Sequence, residues 1–153
     1  MSLQSVRDFL NQHAPEITIT PRDPEIIQKQ GASQTGEASL AKTLCFSQSR
    51  QTILVVIPAA LRLDPAKIAN IFKNKPRMLS ADEVVLSTGH PVQGVCPIGL
   101  ESAHPIYFDT ALRQYKHLTL PAGSQHFTFQ ITPDHLLQLT GAKWIELSGS
   151  NST

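Results

Sequence analysis

The chain has 153 residues, 41% hydrophobic and 16% charged, with a formal net charge of +1; this suffices for one domain with a buried core and falls short of two ordinary ones. Near-neutrality excludes a broad basic field for a nucleic-acid backbone and leaves open only a local basic groove. Two cysteines, Cys45 and Cys96, are too few for a disulfide framework and lack the CxxC spacing of zinc sites, which fits a reduced cytoplasmic protein without bound metal.

In chain order, Val6, Phe9 and Leu10 form a helical stripe over residues 2–13, which ends near Pro15. No apolar leader stands at the N-terminus, and "ILVVIPAAL", broken by Pro58, is far too short to span a bilayer, so no membrane partner is expected. "EITIT" alternates as a strand up to Pro21, and polar residues 22–37 read as loop plus a short helix near Ile26 and Ile27. "ASLAKTLCF" and "TILVVIP", joined by "SQSRQ", read as a β-hairpin whose second strand is apolar throughout and therefore central. "LDPAKIANIF" predicts a helix with Asp64 at its N-cap and Pro65 in its first turn. "LSADEVVLSTG" predicts another, with Ser80 and Glu83 at capping-box spacing and Gly89 as its stop.

"PIYF" follows as a short strand, with Asp109 placed to cap the helix "TALRQY". "HLTL" and "FTFQI" read as strands around the turn "PAGSQH". Thr132 and Pro133 open a last helix, Gly141 closes it, and "KWIEL" is the final strand. Residues 1–148 thus read as a single α+β domain, a mixed and mostly antiparallel sheet with short helices around it, and 149–153 as a frayed tail.

Lys42 is the most informative single residue. On a strand, Ala38, Leu40, Lys42, Leu44 and Phe46 share one face, which points Lys42 toward a core or a pocket. An ammonium group there needs a partner or a bound anion, unless its stem snorkels to the sheet edge. The opposite face, Ser39, Ala41, Thr43 and Cys45, is the more polar one. The stretch "STGHPVQGVCPIGL", residues 87–100, concentrates Gly89, Gly94 and Gly99 with Pro91 and Pro97 in a spacing that matches neither a P-loop nor a dinucleotide fingerprint. Such a loop can hold backbone donors against a developing oxyanion, or serve as an ordinary connection.

Cys96 with His90 or His104 as base would make a nucleophile, but a lone cysteine among apolar residues is more often inert packing. A metal site from His90, Cys96 and His104 fits no common zinc pattern. His117, His126 and His135 read as surface groups, as do Arg50, Lys73, Lys75 and Arg77, of which the last three could touch an RNA backbone.

Taken in order, "AKTLCF", the apolar strand, "STGHPVQGVCPIGL", "PIYFD" and "LPAGSQHFTFQITPDHLLQLTGA" resemble the YbaK family, which includes free-standing aminoacyl-tRNA deacylases and is similar to the editing domain of bacterial prolyl-tRNA synthetase. The resemblance runs from "SVRDFL" to "WIEL" and implies that fold. It also implies a trans-acting hydrolase that cleaves the ester of a mischarged tRNA carrying a small amino acid, of the Cys-tRNA(Pro) or Ala-tRNA(Pro) type. Lys42 and Gly94 match the family's catalytic positions. Thr43, Gln93, Val95, Cys96, Pro97, Gly123 and Ser124 match its substrate-binding segments. The implied partners are the 3′ end of an aminoacyl-tRNA and prolyl-tRNA synthetase, with no cofactor and no metal. Gln93-Gly94 departs from the two glycines many members carry before the loop proline, and Cys96 stands where serine or threonine is common. A non-catalytic module that binds a tRNA end, a nucleotide or a synthetase is the alternative on the same fold.

Overall fold

An apolar run with no polar relief satisfies its backbone and both its faces only in the middle of a covered sheet, and the chain builds its architecture around such a run. The computed structural model describes residues 2–21, 38–72 and 76–147. The elements are α1 (Ser2–His13), β1 (Ile19–Pro21), β2 (Ala38–Gln48), β3 (Gln51–Pro58), α2 (Pro65–Ile71), β4 (Arg77–Met78), α3 (Ala81–Thr88), β5 (Ile106–Asp109), a 3-10 helix (Thr110–Gln114), β6 (His117–Pro121), β7 (Phe127–Ile131), α4 (Pro133–Thr140) and β8 (Lys143–Ile145). The strands form one mixed eight-stranded sheet in the order β1-β7-β6-β2-β3-β5-β8, with β4 on β2 beside this path. Pairing is antiparallel in β1–β7, β2–β3, β2–β4 and β6–β7 and parallel in β2–β6, β3–β5 and β5–β8. No described helix is long and apolar enough to cross a membrane.

β3 is central, and its alternation feeds two cores. Leu54 and Val56 join the larger one, with Val6 and Leu10 of α1, Phe108, Leu118, Leu120 and Phe129. Ile53, Val55 and Ile57 join the smaller one, with Phe46, Phe72 and Leu147. The face of β2 that reads as more polar carries Ala41 and Cys45 into the larger core, while Phe46, with Leu44 against it, packs in the smaller. Small side chains are what let another segment lie close on that face, so the polarity contrast misjudges which side holds the main core.

The sequence signals for ends hold. Asp64 accepts from Ala66 N at 2.9 Å, Ser80 and Glu83 form a capping box, and Thr132 accepts from His135 N. Gly89 and Gly141 end their helices. The hairpin turns on Ser49 and Arg50 alone, both at positive φ, so the polar joint "SQSRQ" is largely absorbed into the strands. "EITIT" gives only the three-residue β1, and "TALRQ" winds as 3-10 rather than α-helix. The two-residue β4 has no sequence signature. The expectations for residues 22–37, Lys73, Lys75 and the 149–153 tail lie outside the described residues.

Asp109 does more than cap. Fully buried, its carboxylate accepts from Ala111 N at 3.1 Å and from Leu147 N at 2.8 Å, tying β5 to the end of the fold. Asp109→Ala leaves the buried Leu147 N–H and the part-buried Ala111 N–H without this acceptor and is expected to cost about 3 kcal/mol, against about 1 kcal/mol for Asp64→Ala at an exposed cap. Urea denaturation of both variants checks this; equal losses contradict it.

Candidate functional site

Between α3 and β5 the chain makes no regular element, and its shape is set by where backbone meets backbone. Gly94 N donates to Pro91 O at 2.9 Å, and Gly94 O accepts from Gly123 N at 2.9 Å. A Cβ on Gly94 would stand 2.4 Å from Ser124 N and 2.7 Å from the Gly123 carbonyl carbon. No side chain fits between the two segments. Gly123 is constrained from its other side as well: its φ is +78°, and a Cβ there would lie 2.6 Å from the Ser2 carbonyl oxygen. The structure therefore brings together Gly94, Gly123 and Ser124 from the two segments singled out in the sequence. Gln93 lies exposed beside them.

Below Gly94 the loop turns inward. Val95, Cys96 and Ile98 are buried in the larger core, with Ala41, Cys45 and Ala122, and Pro97 is buried between them. Cys96 is wholly inaccessible, its Sγ donates to Ile98 O at 3.5 Å, and burial pushes its thiol pKa up to about 12. That removes the nucleophile: a buried thiol this weakly acidic offers no thiolate. The proposed bases are also committed elsewhere. His90 Nε2 bonds the same Ile98 carbonyl at 2.9 Å and its Nδ1 meets Ser2 Oγ, while His104 Nε2 bonds Ser87 O at 2.7 Å. Among the described residues no group of three His, Cys, Asp or Glu side chains is placed to hold a metal ion, so His90, Cys96 and His104 do not form such a site.

Lys42 and Thr43 occupy a break in pairing. β2 runs parallel to β6 only from Ala38–His117 to Leu40–Thr119, and among the described residues no strand rejoins that edge of β2 until Phe46 meets Met78. Lys42 and Thr43 fall in this opening. Opposite them, β6 runs through Pro121 into the Ala122–Ser124 turn that holds Gly94. The half-buried Lys42 has its pKa lowered by burial first and by the Arg62 charge second. Among the described residues no hydrogen bond or ion pair engages its ammonium group. Its side chain leaves β2 on the face of Leu44 and Phe46, opposite to that of Ala41 and Cys45, which pack with Val95 and Cys96.

Among the described residues, Thr43 Oγ1 and Thr119 Oγ1 are buried without a hydrogen-bond partner. Thr119 pairs with Leu40, so it shares the Lys42 face of the sheet. It was not singled out in the sequence; the available signal was one hydroxyl inside the otherwise apolar "LTL".

The remaining charges lie elsewhere. Arg77 is engaged by Glu83 through two bonds of 3.0 Å, which hold the Glu83 pKa at about 2, so its guanidinium is not free for a phosphate. His117 begins β6, His126 is exposed in the turn before β7, and His135 stands 3.8 Å from Glu16. On the loop's other flank an open groove of about 560 Å³ runs between α1 and residues 97–104, with Asp8 and Glu101 in its lining. Its carboxylates make it unsuited to an anionic ligand.

A family model described as the aminoacyl-tRNA editing domain matches residues 28–139. The uncharacterized protein YwhH of Bacillus subtilis (strain 168) is 34% identical over 152 residues, covering 96% of this chain and 97% of that one. A crystal structure described as a candidate trans-editing enzyme for prolyl-tRNA synthetase is 25% identical, with a TM-score of 0.84 over 97% of this chain and 98% of its own. The crystal structure of a hypothetical protein, APE2540, is 23% identical, with a TM-score of 0.79 over 95% and 99%.

Two outcomes follow from this packing. Gly94→Ala is expected to destabilise the protein by about 1–3 kcal/mol through overpacking, while Gln93→Ala, exposed one residue earlier, changes stability by less than about 0.5 kcal/mol. Denaturant midpoints decide it. A thiol reagent at neutral pH is expected to leave Cys45 and Cys96 unlabelled until the protein unfolds; prompt labelling of Cys96 in the native state contradicts its burial.

Proposed function

The chain belongs to the aminoacyl-tRNA editing domain family, and we propose that it acts in trans, in the cytoplasm, as a deacylase. Its substrate is a tRNA mischarged with a small amino acid, of the alanyl- or cysteinyl-tRNA(Pro) type. The observation that carries this is the backbone junction of Gly94 with Gly123 and Ser124, set beside the opening in β2 that presents Lys42 and Thr43. Supporting it are an unengaged Lys42 ammonium group and, on the same face of the sheet, the buried Thr119 hydroxyl, neither with a partner among the described residues, groups that a nucleotide with its phosphate would satisfy.

In this proposal the terminal nucleotide lies against Lys42 at the opening in β2, and the aminoacyl group lies at the rim of the Gly94–Gly123–Ser124 junction, whose packed backbone forms one wall. Water adds to the ester carbonyl carbon. The bond to the ribose oxygen then breaks, the free amino acid leaves, and the ribose oxygen takes up a proton as the terminal hydroxyl. With His90 and Cys96 turned inward, catalysis falls to positioning and to polar backbone groups rather than to a nucleophilic side chain. A pocket that excludes large side chains by size separates small ones from one another only weakly. The likeness to a candidate trans-editing enzyme for prolyl-tRNA synthetase supports that synthetase as the partner.

The inward turn of both groups equally favours a second reading, a module that binds the tRNA end without hydrolysing it. Incubation with a panel of aminoacyl-tRNAs separates the two. Ester loss from a small aminoacyl-tRNA is expected, reduced about a hundredfold or more in Lys42→Ala. Binding without ester loss from any member of the panel leaves the binding module. Loss abolished in Cys96→Ala and spared in Lys42→Ala would reinstate the cysteine.

A further inference from the structure

The Gly123–Ser124 peptide, on which Gly94 rests, is gripped from behind. Ser2 Oγ, at the start of α1, lies 2.5 Å from His90 Nδ1 and 2.6 Å from the Gly123 carbonyl oxygen. His90 Nε2 lies 2.9 Å from the Ile98 carbonyl oxygen. Carbonyl oxygens only accept, so Nε2 carries a hydrogen, and the hydroxyl hydrogen of Ser2 is what this contact can offer Gly123. The ring is therefore left with two arrangements. In a neutral ring, Nδ1 is an acceptor and takes the hydroxyl hydrogen, and the Gly123 carbonyl goes without it. In a charged ring, Nδ1–H donates to Ser2 Oγ, and the hydroxyl hydrogen is free to turn to Gly123. One proton taken up from solvent moves one hydrogen bond.

We propose that Ser2 and His90 are positioning residues for the candidate site: protonation of His90 turns the Ser2 hydroxyl from the imidazole to the Gly123 carbonyl and so fixes the peptide against which the Gly94 loop is packed. Every element packed on the ring enters this balance. Helix α3 contributes the Thr88 hydroxyl, which bonds His90 N at 3.0 Å, and α1 contributes Ser2. The inward loop contributes the Ile98 carbonyl, shared with the Cys96 thiol, and the Glu101 carboxylate, which lies against Gly89. Burial lowers the His90 pKa, and the Ile98 carbonyl and Glu101 act the other way. The neutral arrangement is thus the one at neutral pH, and the Gly123 bond forms on acidification below the ordinary histidine range.

The inference depends on the deacylase reading only for its effect on turnover, so its test has a separate arm. The Ser124 amide belongs to the same peptide as the Gly123 carbonyl and reports on that bond. In a nitrogen-15 titration from about pH 8 down to the acid limit of the folded protein, the Ser124 amide shift is expected to follow the same curve as the His90 ring. In Ser2→Ala the ring still titrates and the Ser124 response is lost; Ser2→Thr restores it. A flat Ser124 amide in the wild type overturns the proposal, as does an unchanged response in Ser2→Ala or a His90 that never titrates while the protein is folded. In the kinetic arm, the deacylation rate shows an inflection at the His90 pKa that Ser2→Ala removes. Coupled titration in a protein that deacylates nothing supports the latch and overturns the functional reading alone.

Discussion

Two stretches of backbone pressed together, the Gly94 loop and the Gly123–Ser124 peptide, set the terms for the rest of this structure. Their contact is closer than any Cβ permits, so it demands glycine at position 94, a left-handed glycine at 123, and rigid support behind both. The support is what the surrounding fold supplies. Residues 95–98 are sunk in the larger core, α1 places Ser2 against Gly123, and β6 delivers the turn from the end of a paired strand. Residues that look reactive in the sequence turn out to be part of this support. His90 and Cys96 both bond the Ile98 carbonyl and so fix the loop's inward bend.

The same arrangement explains how the proposed deacylation can proceed without a visible triad. When the polar groups that meet a substrate are backbone amides and carbonyls, their accuracy comes from packing, and the residues that matter most are those with the least side chain. Lys42 is a cation half-withdrawn from water at the point where β2 leaves β6. Its lowered pKa expresses the cost of that position, and an anionic ligand would offset it.

Much of the fold was legible in the sequence because its signals are local. Asp64, Ser80 with Glu83, Thr132, Gly89 and Gly141 mark helix ends through chemistry confined to a few residues, and the unbroken apolar run of β3 announces a central strand. What could not be read was non-local. β4 exists because β2 offers it an edge, not because Arg77 and Met78 favour a strand. The face of β2 that holds the main core depends on the loop's close approach, which small residues permit but do not announce. Within the site, the glycines and Lys42 were legible as unusual residues. The burial of Cys96, the loss of His90 to the Ser2 and Ile98 bonds, and the Thr119 hydroxyl, unpartnered among the described residues, required knowing what stands opposite them in space.

The most direct measurement of whether the junction is where an aminoacylated end binds is amide-shift mapping with a non-hydrolysable aminoacyl-adenosine, an amide in place of the ester. Binding should move the resonances of Lys42, Thr43, Gly94, Val95, Gly123 and Ser124 together, with the same saturation curve, and Lys42→Ala should weaken it. Shifts confined to the acidic groove of Asp8 and Glu101, with those six residues unmoved, would place the ligand elsewhere and contradict the account.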